Sequence, residues 1–435
     1  MLLSDARTRR AAAAVLAAAL VSLALLPSCA RRAEGPVERR LMVIGFDGLE
    51  LDVMVPLLEA GRLPNFARLM HEGSWGEIRS LDVLESPVIW TSIATGKTPD
   101  KHGVTGFLKP GEGGTGVPTS QNTRQVAAVW DILGARGRTV GIVGWLVTWP
   151  AEPVNGYLVS CNFSYGWEAG TPAAHGMTYP EELRDEIADC RVLPADVGRE
   201  DLARFVREDA LGSRTPPGID LLKGFIAADE SMRCAALRLA KERPTDFFAA
   251  YLRSVDGPCH AFWTHLFRGS GPLVPEWETR AFHDVIPLYY EYMDRVLGEF
   301  LALADDRTTV IVTSDHGHSG PKPKGVGYET GIPAHDTTGV VILWGKDVAE
   351  GRELADVSVL DIAPTVLALF GLPVGEDMDG RVLEEAIAPD FLKAHPVQTV
   401  PSYETTVVRT KSSEPIESPI DDEIRERMRA LGYIE

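Results

Sequence analysis

Positive charge is scarce in this chain. Its 43 lysines and arginines stand against 62 aspartates and glutamates, a formal net charge of −19 over 435 residues. A surface this acidic argues against broad electrostatic binding of nucleic acid or other polyanions. Cysteine is scarce as well, and its five copies include no CxxC pair, which argues against a zinc knuckle. Cys161, Cys190, Cys234 and Cys259 would remain after loss of an N-terminal leader, leaving room for one disulfide in an oxidising compartment, with Cys161–Cys190 as the candidate pair. There is no internal repeat. The apolar run at 11–26 is short of the ~20 residues that cross a membrane.

That run is nevertheless informative. Arg7, Arg9 and Arg10 precede it and Leu26-Pro27-Ser28-Cys29 follows it, the flank, core and cut of a secretory leader. The cut resembles a bacterial lipobox, which implies acylation at Cys29, although Pro27 is an imperfect match. The expectation is a signal peptide at 1–29, a polar tether at 30–39 and a lipid-anchored protein facing the periplasm or cell exterior. Plain secretion and an uncleaved anchor are the alternatives.

Short apolar runs at 40–46, 139–143, 247–252, 308–312 and 340–344 predict strands buried on both faces. Helical patterns at 64–72 and 219–242 lie between them. Alternation of strand and helix predicts an α/β fold, a three-layer α/β/α sandwich around a mostly parallel sheet. One catalytic domain at 40–395 is expected, with a cap or lid inserted at about 163–217, where Gly, Pro and acidic residues replace buried strands. Residues 358–370 read as a helix capped by Ser358 and kinked by Pro364. The 396–435 tail reads as loose chain followed by a charged helix from Asp421 to Leu431.

Seven side chains suit two cations and an oxygen nucleophile: Asp47, Ser86, Asp256, His260, Asp315, His316 and His335. Most follow a strand-like run, and strand ends in such a sheet converge on one crevice. Asp47 sits between glycines in Gly45-Phe46-Asp47-Gly48, a turn position. Asp315 and His316 repeat that placement after 308–312. Asp256 and His260 share a helix face at i, i+4 spacing. Ser86 before Pro87 reads as a helix N-cap, where free N–H groups and the helix dipole also favour a phosphate. Taken singly, Ser86 could be only a cap, Asp47 a turn carboxylate and His335 a surface loop residue. Thr91, Ser92 and Thr95 are rival hydroxyls that fall inside the helix, and His102 reads as structural. Of the remaining histidines only His318 is close enough to support the site.

The order of these motifs resembles the alkaline phosphatase superfamily, and within it the type I phosphodiesterase/nucleotide pyrophosphatase branch. The resemblance rests on GFDG at 45–48, SPVIWTSIATGKTPDKHG at 86–103, DGPCH at 256–260, SDHG at 314–317 and AHDTTG at 334–339. It implies that Asp47, Ser86, Asp315 and His316 bind one divalent metal, and that Asp256, His260 and His335 bind another. Zn²⁺ suits the mixed nitrogen and oxygen donors, with Mn²⁺ or Ca²⁺ as alternatives. Ser86 would attack phosphorus, an alcohol would leave, and water would hydrolyse the adduct. Phe107 stands where nucleotide pyrophosphatases carry an Asn that stabilises charge on the transferred group, with no arginine identifiable in its place. That weakens the case for a nucleotide substrate and leaves Lys97 and Asn122 as weak substitutes. Cys-x-Pro-x-Arg is absent at 86–90, which argues against a formylglycine sulfatase.

The expected activity is metal-dependent hydrolysis of a small phosphoric ester, a phosphodiester or phosphonate before a monoester. The rivals are a phospho-group transferase on the same constellation and a tethered metal-containing binding protein without turnover.

Overall fold

The computed structural model describes residues 38–110, 116–165, 175–266, 274–319, 334–407, 416–418 and 420–430. The leader at 1–29 and most of the tether lie outside them. No helix among the described residues is long and apolar enough to cross a membrane.

The strands that matter here are β1 (Arg40–Phe46), β2 (Ser74–Arg79), β3 (Val140–Val143), β4 (Gly156–Val159), β5 (Thr178–Tyr179), β6 (Phe247–Leu252), β7 (Thr308–Thr313), β8 (Gly317–Ser319), β9 (Ala334–Asp336), β10 (Thr338–Gly345) and β11 (Arg352–Ser358). The helices are α1 (Leu51–Glu59), α2 (Pro64–Glu72), α3 (Ser86–Thr95), α4 (Val129–Ala135), α5 (Pro217–Glu242), α6 (Asp256–Leu266), α7 (Val285–Leu301), α8 (Ile362–Leu369) and α9 (Asp421–Ala430). Nine strands form one sheet in the order β11-β2-β10-β7-β1-β6-β3-β4-β5. The central run β7-β1-β6-β3-β4 is parallel throughout.

β1 shows why the sheet is buried on both sides. Met42, Ile44 and Phe46 join one apolar cluster with α1, α2, α5, α6 and α7. Leu41 and Val43 face the other way, into a cluster with α3, α4 and α8. Strand period 2 divides one continuous apolar run between two helical layers. This is the expected α/β/α sandwich with a mostly parallel sheet.

Several local expectations need correction. The 340–344 run is a strand, but it pairs antiparallel with both β7 and β2. β10 follows directly on β9, which itself pairs antiparallel with β8, and antiparallel neighbours do not require the long crossover of a parallel pair. The disulfide joins Cys190 to Cys234, not Cys161. α5 carries Cys234 past the Cys190 turn at a Cα–Cα distance of 5.2 Å. Closure entropy varies too slowly with loop length to override that proximity. The 358–370 run divides into a 3₁₀ turn, Val359–Asp361, and α8. Pro364 therefore falls in the first turn of α8, where its missing N–H costs no bond and requires no kink. In the tail, Thr399–Val400 pairs with Val374–Gly375 and Tyr403 is buried, so 399–403 is not loose.

The 163–217 stretch consists of short helical turns plus β5 among its described residues. Phe163, Leu183, Ile187, Phe205 and Val206 bury themselves in the α5 cluster.

Candidate active site

The C-terminal ends of β1, β6 and β7 bring Asp47, Asp256 and Asp315 to one edge of the sheet. Asp47 directly follows β1. Its Oδ2 accepts hydrogen bonds from Trp90 Nε1 (3.2 Å) and Tyr251 Oη (2.6 Å), which turns Oδ1 toward His316 Nε2 at 3.4 Å. Asp315 Oδ1 accepts from the Gly48 N–H at 3.3 Å, and its Oδ2 lies 3.4 Å from the same His316 nitrogen. Gly48 has φ +77°, and a Cβ there would sit 2.6 Å from His318. Only glycine meets both demands.

Asp256 opens α6, and His260 Nε2 lies one turn on at 3.2 Å from Asp256 Oδ1. His318 Nε2 and His335 Nε2 approach the same oxygen at 3.2 and 3.4 Å. His260 and His335 face each other through Nε2 atoms 2.8 Å apart. Three imidazoles are oriented alike. Nδ1 of His316, His318 and His335 is held by the carbonyl of Gly317, Gly48 and Leu84, and Nε2 points into the site. Such backbone contacts fix the tautomer and ring direction of a metal-binding histidine.

Asp47, Asp315 and His316 offer donor atoms within 4.8 Å of one another, as do Asp256, His316, His318 and His335. Ser86 is 4% exposed and lines the same cavity as Asp47 and Asp256. The seven predicted residues thus surround one space. Ser86 is not the helix cap, however. Glu85 holds that position with extended backbone, and Ser86 is the first residue of α3 with Pro87 second. His335 is not in a loop but in β9, opposite His318 in β8.

The electrostatics fit cations. Burial pushes the Asp47 carboxyl well above its ordinary value, and the charges of Asp315 and Asp256 push it further. Burial and Asp256 raise Asp315 to about 8. Burial acts the same way on Asp256, but His260, His318 and His335 outweigh it and hold that carboxyl well below the usual range. His316 is pushed well down, by burial and then by His335, and burial takes His318 to about 4. Both therefore offer neutral lone pairs near pH 7. Asp47 Oδ1, Asp315 Oδ2, His316 Nε2 and His318 Nε2 are buried without a hydrogen bond among the described residues. Repelling carboxylates beside unprotonated imidazole nitrogens make a donor set suited to divalent metal.

Two residues at the site were not assigned from sequence. His318 approaches Asp256 as closely as His260 does. The available hint was spacing, since His316 and His318 stand two apart around a strand. Arg253 lines the Ser86 cavity just after β6, so an arginine is present after all. Phe107 lines it too. Lys97 and Asn122 do not. Lys97 Nζ is bound to Asp377 and Glu404 at 2.7 and 3.0 Å, and Asn122 accepts from Ser120. Neither is the missing donor.

Gly45 supports the site from behind. A Cβ at this position would meet the Trp90 ring at 2.5 and 2.6 Å. Trp90 is fully buried and holds Asp47. Gly45→Ala is therefore expected to lower stability by about 1–3 kcal/mol, the range for overpacking, and to weaken metal retention. Urea unfolding and metal analysis of the variant check both.

A model of the type I phosphodiesterase / nucleotide pyrophosphatase family matches residues 41–345. A 2,3-bisphosphoglycerate-independent phosphoglycerate mutase of Clostridium perfringens is 37% identical over 97 residues, 21% of this chain and 18% of the mutase. The mutase of Cereibacter sphaeroides is 42% identical over 100 residues, 22% of this chain and 19% of its own length. The chain thus aligns with less than a fifth of these curated relatives. Among solved structures, a mutant of the alkaline phosphatase PafA shares the fold. Its TM-score is 0.54 at 14% identity, covering 81% of this chain and all of that one. With its family match spanning well over half its length, the chain belongs to the type I phosphodiesterase / nucleotide pyrophosphatase family.

Proposed function

We propose that this chain hydrolyses small phosphoric esters, with Ser86 as nucleophile, at a site that holds two divalent metal ions. One observation carries the reading: Ser86 shares a cavity with a buried cluster of carboxylates and imidazoles. Asp47, Asp315 and His316 would hold one ion beside Ser86. Asp256, His260, His335 and, by its geometry, His318 would hold the other. Mixed nitrogen and oxygen donors favour Zn²⁺, with Mn²⁺ and Ca²⁺ as alternatives. When bound, such ions lower the pKa of nearby hydroxyl groups and offset negative charge on phosphorus oxygens.

The chain's own groups do the rest. Ser86 Oγ bonds to phosphorus as the ester oxygen departs with a proton as an alcohol. Water then bonds to phosphorus, the Ser86 ester bond breaks, and the proton returns to Ser86. Asp47 and His316 are held by Trp90, Tyr251 and Gly317, so the site is organised before substrate arrives. A phosphodiester or phosphonate is preferred over a monoester. The similarity to phosphoglycerate mutases supports a second reading, transfer of the phospho group to an acceptor alcohol. The leader pattern supports export, with acylation at Cys29 as the membrane tether.

The test uses the protein from residue 30 onward, its metal content measured. Cleavage of nitrophenyl mono- and diesters is followed with and without a chelator, and with an added alcohol. Expected results are close to two metal equivalents and cleavage of at least one ester, lost on chelation and restored by metal. Phospho-alcohol product in place of phosphate would favour the transferase. A metal-loaded protein inert on a broad ester panel would leave a binding protein.

A further inference from the structure

Arg253 follows β6 and precedes Asp256 by three residues. Ser254 between them has φ +54°, a left-handed conformation uncommon for a residue with a side chain. Over this turn both Arg253 and Asp256 reach the wall of the Ser86 cavity, whose volume is about 80 Å³. The guanidinium carbon of Arg253 sits 3.9 Å from the ring centroid of Tyr165. That cation–π contact holds the group over the ring without using its N–H donors.

Among the described residues the Arg253 side chain makes neither a hydrogen bond nor an ion pair. Asp229 lines the same cavity, but its Oδ1 accepts from the Ser254 N–H at 3.2 Å and its Oδ2 from Tyr289 Oη at 2.7 Å. Its charge favours the Arg253 cation, but no ion pair joins the two side chains among the described residues. Arg253 is half-buried, and it lines a mostly apolar pocket with Phe107, Leu146 and Phe225, where its five donors are available to an anion. Phe107 offers no polar donor of its own.

We propose that Arg253 binds the non-bridging oxygens of the phosphoryl group transferred at Ser86, held in place by Tyr165. The inference rests on the proposed function, and it makes the ligand of this wall a tetrahedral oxyanion, not an uncharged carbonyl or sugar hydroxyl. The planar fork of Arg253 matches two oxygens of such a group. A lysine at 253 would keep the charge and lose the fork.

The test compares metal-loaded wild type with Arg253→Met and Arg253→Lys. Inorganic phosphate binding is read by calorimetry, and kcat/KM is read on the best nitrophenyl ester. Arg253→Met should weaken phosphate binding and lower kcat/KM, the latter by about 100-fold, as for loss of an oxyanion donor. Metal content should stay at the wild-type value, and Arg253→Lys should recover less than the full loss. Tyr165→Leu, which frees the guanidinium, should give a smaller loss of the same kind and serves if Arg253→Met does not fold. Phosphate binding and kcat/KM within threefold of wild type in the variants would overturn the assignment. A wild type that binds phosphate through Arg253 but cleaves no ester would refute the hydrolase reading and keep Arg253 only as a ligand of the phosphate oxyanion. A wild type with neither binding nor turnover would reject both.

Discussion

Ser86→Ala is expected to cut ester cleavage about 1,000-fold or more while leaving metal content and folding close to wild type. The size follows from losing the nucleophile, at ~1.4 kcal/mol of barrier per tenfold, or about 4 kcal/mol. The tolerance of the fold follows from the structure. The substitution removes one oxygen from the first residue of α3, and the backbone there is already ordered by Glu85 and Pro87. Ser86 is not the cap of its helix, so no cap energy is lost. The nearby hydroxyls cannot substitute. Thr91 Oγ1 donates to Pro87 O at 2.7 Å, Thr95 Oγ1 to Thr91 O at 2.8 Å, and Ser92 Oγ pairs with His102 Nε2 at 2.9 Å. All four residues are buried in these contacts. Single-turnover kinetics with equal rates in wild type and variant would reject Ser86 and point to water as the direct attacker.

Much of this arrangement was legible in the chain because strand ends and ligands coincide. The apolar runs at Arg40–Phe46 and Phe247–Leu252 match β1 and β6 residue for residue. A continuous apolar run has one reading when both sheet faces are covered, and a polar residue just beyond it has only the sheet edge to occupy. Pro64–Glu72 was equally clear, with Pro at the start and Gly73 at the end. What escaped depends on contacts between distant segments. β2 alternates buried and less buried residues, but two of its three buried positions are Ser74 and Gly76, so no apolar alternation marks it, and its place beside β10 and β11 is set by pairing. The Cys190–Cys234 bond depends on how a turn lies against α5. Arg253 looked like any charged residue after a strand. Its role as a site residue appears only once Tyr165, more than eighty positions earlier, is seen beneath it. His318 was visible as a neighbour of the site but not as a donor. Its Nε2 is aimed by Gly48 O, and Gly48 lies in the first motif of the chain.

Asp256→Asn should have the second large effect, and its shape separates a metal role from a structural one. Asp256 Oδ1 is the common point of the imidazoles, 3.2 Å from His260 and His318, 3.4 Å from His335 and 4.0 Å from His316. An amide of the same size keeps the packing but removes the charge. The ion held by His260, His318 and His335 should be lost, leaving about one equivalent of metal in place of two. Activity should fall by more than about 100-fold, the upper range for outer-sphere partners of a metal. Stability should respond differently with and without metal. In the metal-free protein the Asp256 charge opposes ionisation of Asp47 and Asp315, so its removal relieves repulsion there even as it deprives the histidines of an anion. These effects oppose each other, and the metal-free melting temperature should move little. In the loaded protein, stabilisation linked to the second ion disappears. The drop in melting temperature on chelation should therefore be clearly smaller in Asp256→Asn than in wild type. A variant that melts early in both states, with two metals still bound when loaded, would mean that Asp256 serves the fold and not the ion.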